Sequence, residues 1–241
     1  MAKVEPAADT SFPAAIPALR PSEYTAALLQ ALHAEARRVR GARVLEIGCG
    51  SGVVLAALGA LGAASLCGVD IERDAVAATS RLMADCGHAA AAEIHHGDMW
   101  RPVAGRRFDL IVANLPHFPM EPAGVAGRLP TWSAGGADGR RLLDPFLVGL
   151  ADHLEPDGRA FATHNAFDDL DKSRRVLAGT GLTLRVVLTT LVYIAPEKLA
   201  CMTPDVLRAE DGRTIHRHGP YAFGDMHVVE IGAAMTGSAA V

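Results

Sequence analysis

Short apolar runs rich in β-branched residues alternate with helical stretches along most of the chain, and this alternation limits the possible folds more than any other feature. ARVLEIG (42–48), SLCGVDI (65–71), AEIHHGD (92–98), FDLIVANLP (108–116), RAFATHN (159–165), LTLRVVLTTLVYIA (182–195) and HVVEIGAA (227–234) read as seven strands. A helix opens after Ser22, with Ala27, Leu28, Leu32, Ala36 and Val39 at helical spacing. Further helices are predicted behind the first strand and over 73–86, 140–154 and 168–178. Continuous apolar strands joined by helices predict a mostly parallel sheet covered on both faces. No helical pattern separates the last two strands, so the final strand is expected to run antiparallel, the pair lying at an edge. Phe118 to Asp138 and Pro196 to Asp225 fit no regular element. Loops of that length in a compact domain usually serve as lids or binding insertions. The Pro/Ala-rich residues 1–20 read as a flexible lead-in, and 21–241 as one domain.

Composition narrows the function. The chain has 241 residues, 50% of them hydrophobic, with a net charge of −4. That apolar fraction excludes disorder as the main state. A pI near 6.2 gives no basic field for a dedicated nucleic-acid binder. The cysteines Cys49, Cys67, Cys86 and Cys201 form no CxxC pair, which speaks against a disulfide framework or thiolate metal site and for a reducing cytoplasm. The first twenty residues lack the apolar stretch of a signal peptide, and the longest apolar run, Val53 to Val69, is too short and glycine-broken to span a bilayer.

Two motifs carry chemistry. Glu46-Ile47-Gly48-Cys49-Gly50-Ser51-Gly52 follows the first strand and opens a helix, where free backbone N–H groups and missing side chains let a ligand approach closely. Its spacing is GxGxG; a dinucleotide fingerprint would need a glycine at Val53. Asp70 and Asp98 close the second and third strands, so three acids gather at successive strand ends. Asn114-Leu115-Pro116-His117 closes the fourth strand. An amide or aryl nitrogen is a weak nucleophile because its lone pair is delocalised. The Asn114 side-chain oxygen and the Leu115 carbonyl could hold both its hydrogens and turn the lone pair toward an electrophile. His117 could stack on a planar substrate or accept a proton near neutral pH.

The glycine motif resembles motif I of class I S-adenosylmethionine-dependent methyltransferases, and NLPH is similar to the Asn-Pro-Pro-aromatic motif of those acting on planar nitrogen. Gly135-Gly136-Ala137-Asp138-Gly139 and Arg20-Pro21-Ser22-Glu23-Tyr24-Thr25 extend the resemblance to the HemK-like release-factor glutamine methyltransferases over roughly residues 20–165. The resemblance implies an α/β Rossmann-like fold with a seven-stranded, mostly parallel sheet. It implies S-adenosylmethionine as cofactor, seated by Glu46, Gly48, Cys49, Gly50, Gly52, Asp70, Ile71, Asp98, Met99 and Asn114. In that family Asp70 would accept the ribose hydroxyls, and Asp98 with the Met99 N–H would hold the adenine. Asn114, Leu115 and His117 would carry catalysis. Leu115 for proline leaves the carbonyl in place, whereas His117 for the aromatic is a departure, as is the last third of the chain.

These features predict N-methylation of a small planar acceptor, such as a heterocyclic metabolite. The alternatives are a protein glutamine, a nucleic-acid base, or a decayed S-adenosylmethionine-binding subunit. His216, His218, Asp225 and His227 could be imagined around a metal, but solvated or substrate-facing histidines fit better, and no metal is expected. Tyr221, Phe223 and His218 could wall an aromatic pocket, and Trp100 is expected to be buried rather than to border the adenine.

Overall fold

The computed structural model describes residues 21–121 and 133–234. The expected lead-in of residues 1–20, with Arg20, and part of the first insertion lie outside these residues. The elements run α1 (Glu23–Ala34), α2 (Ala36–Val39), β1 (Arg43–Ile47), α3 (Val53–Ala60), β2 (Ser65–Asp70), α4 (Arg73–Asp85), β3 (Ala92–His96) and β4 (Phe108–Ala113). They continue with α5 (Leu143–His153), β5 (Leu154–Asn165), α6 (Leu170–Ala178), β6 (Leu182–Ile194), α7 (Pro196–Ala200), α8 (Pro204–Glu210), β7 (Ile215–His218) and β8 (Tyr221–Ala233).

Among the described residues the sheet has eight strands where seven were expected, in the order β3-β2-β1-β4-β5-β8-β6. The strands from β3 to β5 pair in parallel, while β8 enters antiparallel between β5 and β6. The antiparallel pair does lie at an edge, with β6 outermost. The extra strand, β7, pairs with the first residues of β8, from His218↔Tyr221 to Ile215↔Gly224.

Alternate residues of the central strands feed two cores. Val44, Leu110 and Val112 pack with α1 and α3, whereas Leu45, Ile47, Ile111 and Ala113 pack with α5. Strands buried on both faces explain why their apolar runs are continuous.

The segment 196–225 is not the structureless loop expected from the sequence. It holds α7, α8, β7 and the start of β8. Pro196 and Pro204 each occupy the opening turn of their helix, where a missing N–H costs nothing. Phe118 and Met120 bridge Ala134 and Gly136, and the Thr203 N–H donates to the Pro119 carbonyl at 2.8 Å, tying this stretch to the segment. A third apolar cluster, of Phe118, Met120, Phe167, Ile194, Met202 and Ile215 among others, joins the two stretches beyond the sheet. Among the described residues no helix is long and apolar enough to cross a membrane.

Candidate active site

A cavity of about 840 Å³ opens at the carboxyl ends of β1, β2 and β4. This is the place a doubly wound sheet offers a ligand, because its strand order reverses there. Glu46, Gly48, Cys49, Gly50, Asp70, Ile71, Asp98, Met99, Asn114, Leu115 and His117 all line it. Of the candidate residues, only Gly52 does not. It adopts φ +80°, and a Cβ at that position would lie 2.9 Å from the Thr79 Cα, so it is a packing glycine against α4.

The acids at the strand ends differ in environment. Glu46 is buried, and its Oε2 has no hydrogen-bond partner. Burial, helped by the neighbouring Asp70, holds its carboxyl well above the usual carboxylate range. The Asp70 carboxylate accepts the Gly50 N–H at 2.8 Å and the Glu72 N–H at 2.9 Å, one on each oxygen. Asp98 is exposed at the rim. Met99 beside it adopts φ +46°, uncommon for a side-chain-bearing residue, and lines the same wall. Ile71 projects from the mouth with 60% of its surface exposed. Cys49 is a buried thiol beside Thr79, and burial pushes its pKa up.

The far end of the cavity is organised by hydrogen bonds that the sequence did not announce. The Asn114 side-chain oxygen accepts the Thr163 hydroxyl at 2.9 Å, and its Nδ2 donates to Thr25 Oγ1 at 3.3 Å. His117 is buried, with Nε2 3.1 Å from Thr163 Oγ1 and Nδ1 2.7 Å from Asp168 Oδ2. Both ring nitrogens are thus engaged. Burial, with Lys198 nearby, lowers the imidazole pKa to about 3, so it is not a base near neutral pH. Asp168 is buried too, its Oδ1 without a partner, and burial raises it well above the carboxylate range. Burial thus disfavours the charged form of both members of the pair. Tyr24 meets the His117 ring edge-on, with centroids 5.6 Å apart.

The GGADG turn supports this arrangement from behind. Gly139 has φ +77°, and a Cβ there would collide with the Asp168 carboxyl and, at 2.7 Å, with the His117 carbonyl. Arg140, buried, donates to the Asp168 and Asp169 carbonyls and to Ser173 Oγ, fastening the turn to the start of α6.

Other sequence candidates fall elsewhere. Trp100 is stacked between Phe146 and His153, and its indole N–H donates to the Pro145 carbonyl at 3.1 Å, away from the cavity. Tyr221, Phe223 and His218 do not wall the cavity; they lie beside Tyr193 on the β6–β8 ribbon. His216 pairs with Asp225 at 3.1 Å and His227 with Thr189 at 2.9 Å. Among the described residues, the group with ligand atoms close enough for a metal is Cys67, Glu93 and His95, where Arg106 already donates to Glu93 at 2.9 Å. The residues missed are Tyr24, Thr25, Thr163, Asn165, Asp168, Arg141 and Lys198. The signal for two of them was the polar run Thr163-His164-Asn165 at the end of an apolar strand.

The cavity fits S-adenosylmethionine. A buried carboxyl oxygen without a donor can accept from an ammonium group, and a carboxylate at the second strand end can accept ribose hydroxyls. The glycine turn leaves backbone in place of side chains between them.

A family model described as a methyltransferase domain matches residues 44–127. The ribosomal protein uL3 glutamine methyltransferase of Bradyrhizobium diazoefficiens is 34% identical over 125 residues, covering 48% of this chain and 38% of that protein. The release factor glutamine methyltransferase of Geobacter sulfurreducens is 31% identical over 129 residues, covering 51% of this chain and 45% of its own. The chain therefore spans less than half the length of these two relatives. The ribosomal protein L11 methylase of Lactobacillus delbrueckii subsp. bulgaricus shares the fold with a TM-score of 0.53 and 19% identity, over 87% of this chain and 80% of that one. With the glycine turn, the strand-end acids and the inserted antiparallel strand in one molecule, the chain carries a methyltransferase domain at residues 44–127 within the Rossmann-like fold of class I S-adenosylmethionine-dependent methyltransferases.

Proposed function

We propose that this protein transfers a methyl group from S-adenosylmethionine to the side-chain amide nitrogen of a glutamine in a protein. The observation that carries the reading is the placement of Asn114 and Leu115, at the end of β4, in the same cavity as the glycine turn. Glutamine methyltransferases among its relatives support a protein glutamine over the small-molecule acceptor expected from the sequence.

When bound, S-adenosylmethionine supplies an already activated methyl group on its sulfonium sulfur. The chain's own task is placement. Glu46 and Asp70 hold the cofactor's polar ends, and Asp98 and the Met99 N–H border the ring site. The Asn114 oxygen and the Leu115 carbonyl accept the two amide hydrogens of the acceptor, which fixes the nitrogen within attack distance. His117 is a positioning residue here, since both ring nitrogens are engaged, and the proton released by the methylated nitrogen passes to solvent through the mouth of the cavity. Phe118, Ser133 and Lys198 of α7 line the acceptor end. We take 21–241 as one functional domain.

A small planar acceptor is the second reading. Tyr24 and Phe118 line the cavity with aromatic rings, and the Lys198 ammonium lies 5.7 Å and 4.3 Å from their centroids, a wall suited to a flat heterocycle. The test is methyl transfer followed by mass spectrometry on glutamine-containing peptides, free planar amides and amines, and RNA. Methylated glutamine, formed far more slowly but still measurably in Asn114→Ala while S-adenosylmethionine affinity is kept, is the expected result. Transfer to RNA or small molecules alone would overturn the protein reading, and full turnover in Asn114→Ala would remove the orienting role.

A further inference from the structure

The bonds around Asn114 form one directed chain that begins and ends on α1. The Tyr24 hydroxyl donates to Asn165 Oδ1 at 2.8 Å, which leaves the Asn165 Nδ2 facing His117 Nδ1 at 2.8 Å. Nδ1 is then the bare, accepting nitrogen, and a neutral ring must carry its hydrogen on Nε2. Nε2 faces Thr163 Oγ1 at 3.1 Å, and the single Thr163 hydrogen passes to Asn114 Oδ1 at 2.9 Å. The Asn114 Nδ2 closes the circuit on Thr25 Oγ1 at 3.3 Å, one residue from where it started. A protonated Asp168, 2.7 Å from Nδ1, is compatible with this direction; an ionised one would face a lone pair.

We propose that Asn165, His117 and Thr163 are positioning residues that set which end of the Asn114 carboxamide faces the acceptor. Thr163, His117 and Asn165 are all at least 96% buried, so water does not offer alternative partners. The direction is decisive. If His117 carried its hydrogen on Nδ1, Nε2 would take the Thr163 hydrogen, and Asn114 would have to turn its NH₂ toward Thr163. Its oxygen would then face Thr25 instead. A histidine at position 117 thus couples the orientation of the catalytic amide to α1, a link that a phenyl or phenol ring could not make with two nitrogens. The inference rests on the role given to Asn114 under the proposed function.

The test has two arms. Long-range ¹H–¹⁵N NMR on the wild-type protein reads the His117 tautomer without any turnover. Nε2–H is expected, and Nδ1–H would overturn the chain. In the second arm, Asn165→Asp replaces the donor facing Nδ1 by an acceptor of the same shape and should reverse the direction. It is expected to shift the tautomer to Nδ1–H and to lower kcat about tenfold or more, with the S-adenosylmethionine Kd unchanged. Thr163→Val should lower kcat similarly, Thr163→Ser should restore it, and neither Thr163→Val nor Asn165→Asp should cost anything further in an Asn114→Ala background. An unaltered kcat in Thr163→Val, or full additivity with Asn114→Ala, overturns the positioning role. Absence of transfer to any acceptor by the wild-type protein would instead sink the proposed function, while the tautomer still judges the chain.

Discussion

Gly50 and Gly52 sit two residues apart in one turn, and the structure assigns them different work. Gly52 has φ +80°, and a Cβ there would lie 2.9 Å from both Cα and Cγ2 of Thr79, itself fully buried in α4. Gly52→Ala therefore carries left-handed strain of about 1–2 kcal/mol plus overpacking against a backbone atom of about 1–3 kcal/mol. The expected loss is about 2–5 kcal/mol. Gly50 has φ +52°, and a Cβ on it would meet nothing nearer than the Gly48 carbonyl at 3.9 Å. Gly50→Ala should cost only the strain, about 1–2 kcal/mol, but it puts a methyl group on the wall of the cofactor cavity. Chemical denaturation with a common slope reads the first effect, and calorimetric titration with S-adenosylmethionine reads the second. Gly52→Ala should be the less stable protein and, where still folded, keep its affinity. Gly50→Ala should be the more stable protein with affinity reduced about tenfold or more. Equal destabilisation, or the larger loss in Gly50→Ala, would refute the division of roles.

Two further outcomes are expected. Asp70→Ala should weaken S-adenosylmethionine binding about a hundredfold, because it removes an acceptor that also orders the Gly50 and Glu72 N–H groups; an unchanged calorimetric Kd would end that assignment. His117 should also leave a mark on pH stability. Its folded pKa of about 3 lies below the ordinary 6.5, in a site facing Lys198, Asp168 and His164. Between those values the unfolded chain binds a proton that the folded ring refuses. The ring's contribution is therefore whole above 6.5 and shrinks as pH falls, by up to about 1.4 kcal/mol per unit. The stability gap between wild type and His117→Phe should narrow from pH 7.5 to pH 5, and a constant gap would contradict the buried neutral ring.

What could be read from the sequence followed from local pattern. The glycine turn, the acids closing β1 and β2, and the polar end of β4 each sit where a strand stops and a helix or loop begins, and the crevice of a parallel sheet lies at those stops. What escaped was pairwise and distant. Thr163, Asn165 and Asp168 reach Asn114 and His117 across the gap between β4 and β5, and one sequence holds no record of which strand ends face each other. His117 invited a stacking or proton-accepting role because its burial and partners were invisible. The helices α7 and α8 did carry a readable sign, a proline at the start of each, but β7 is four mostly polar residues and had none.

The insertion of β8 between β5 and β6 has a consequence for how the chain is made. Among the described residues β6 bonds to no strand but β8, and β5 has β8 as its neighbour on that side. Until residues 221–233 leave the ribosome, two long rows of backbone donors and acceptors stand bare and adhesive. This part of the sheet can zip shut only at that moment, so a strand made after both of its neighbours governs how long a nascent molecule remains open to mispairing with other chains.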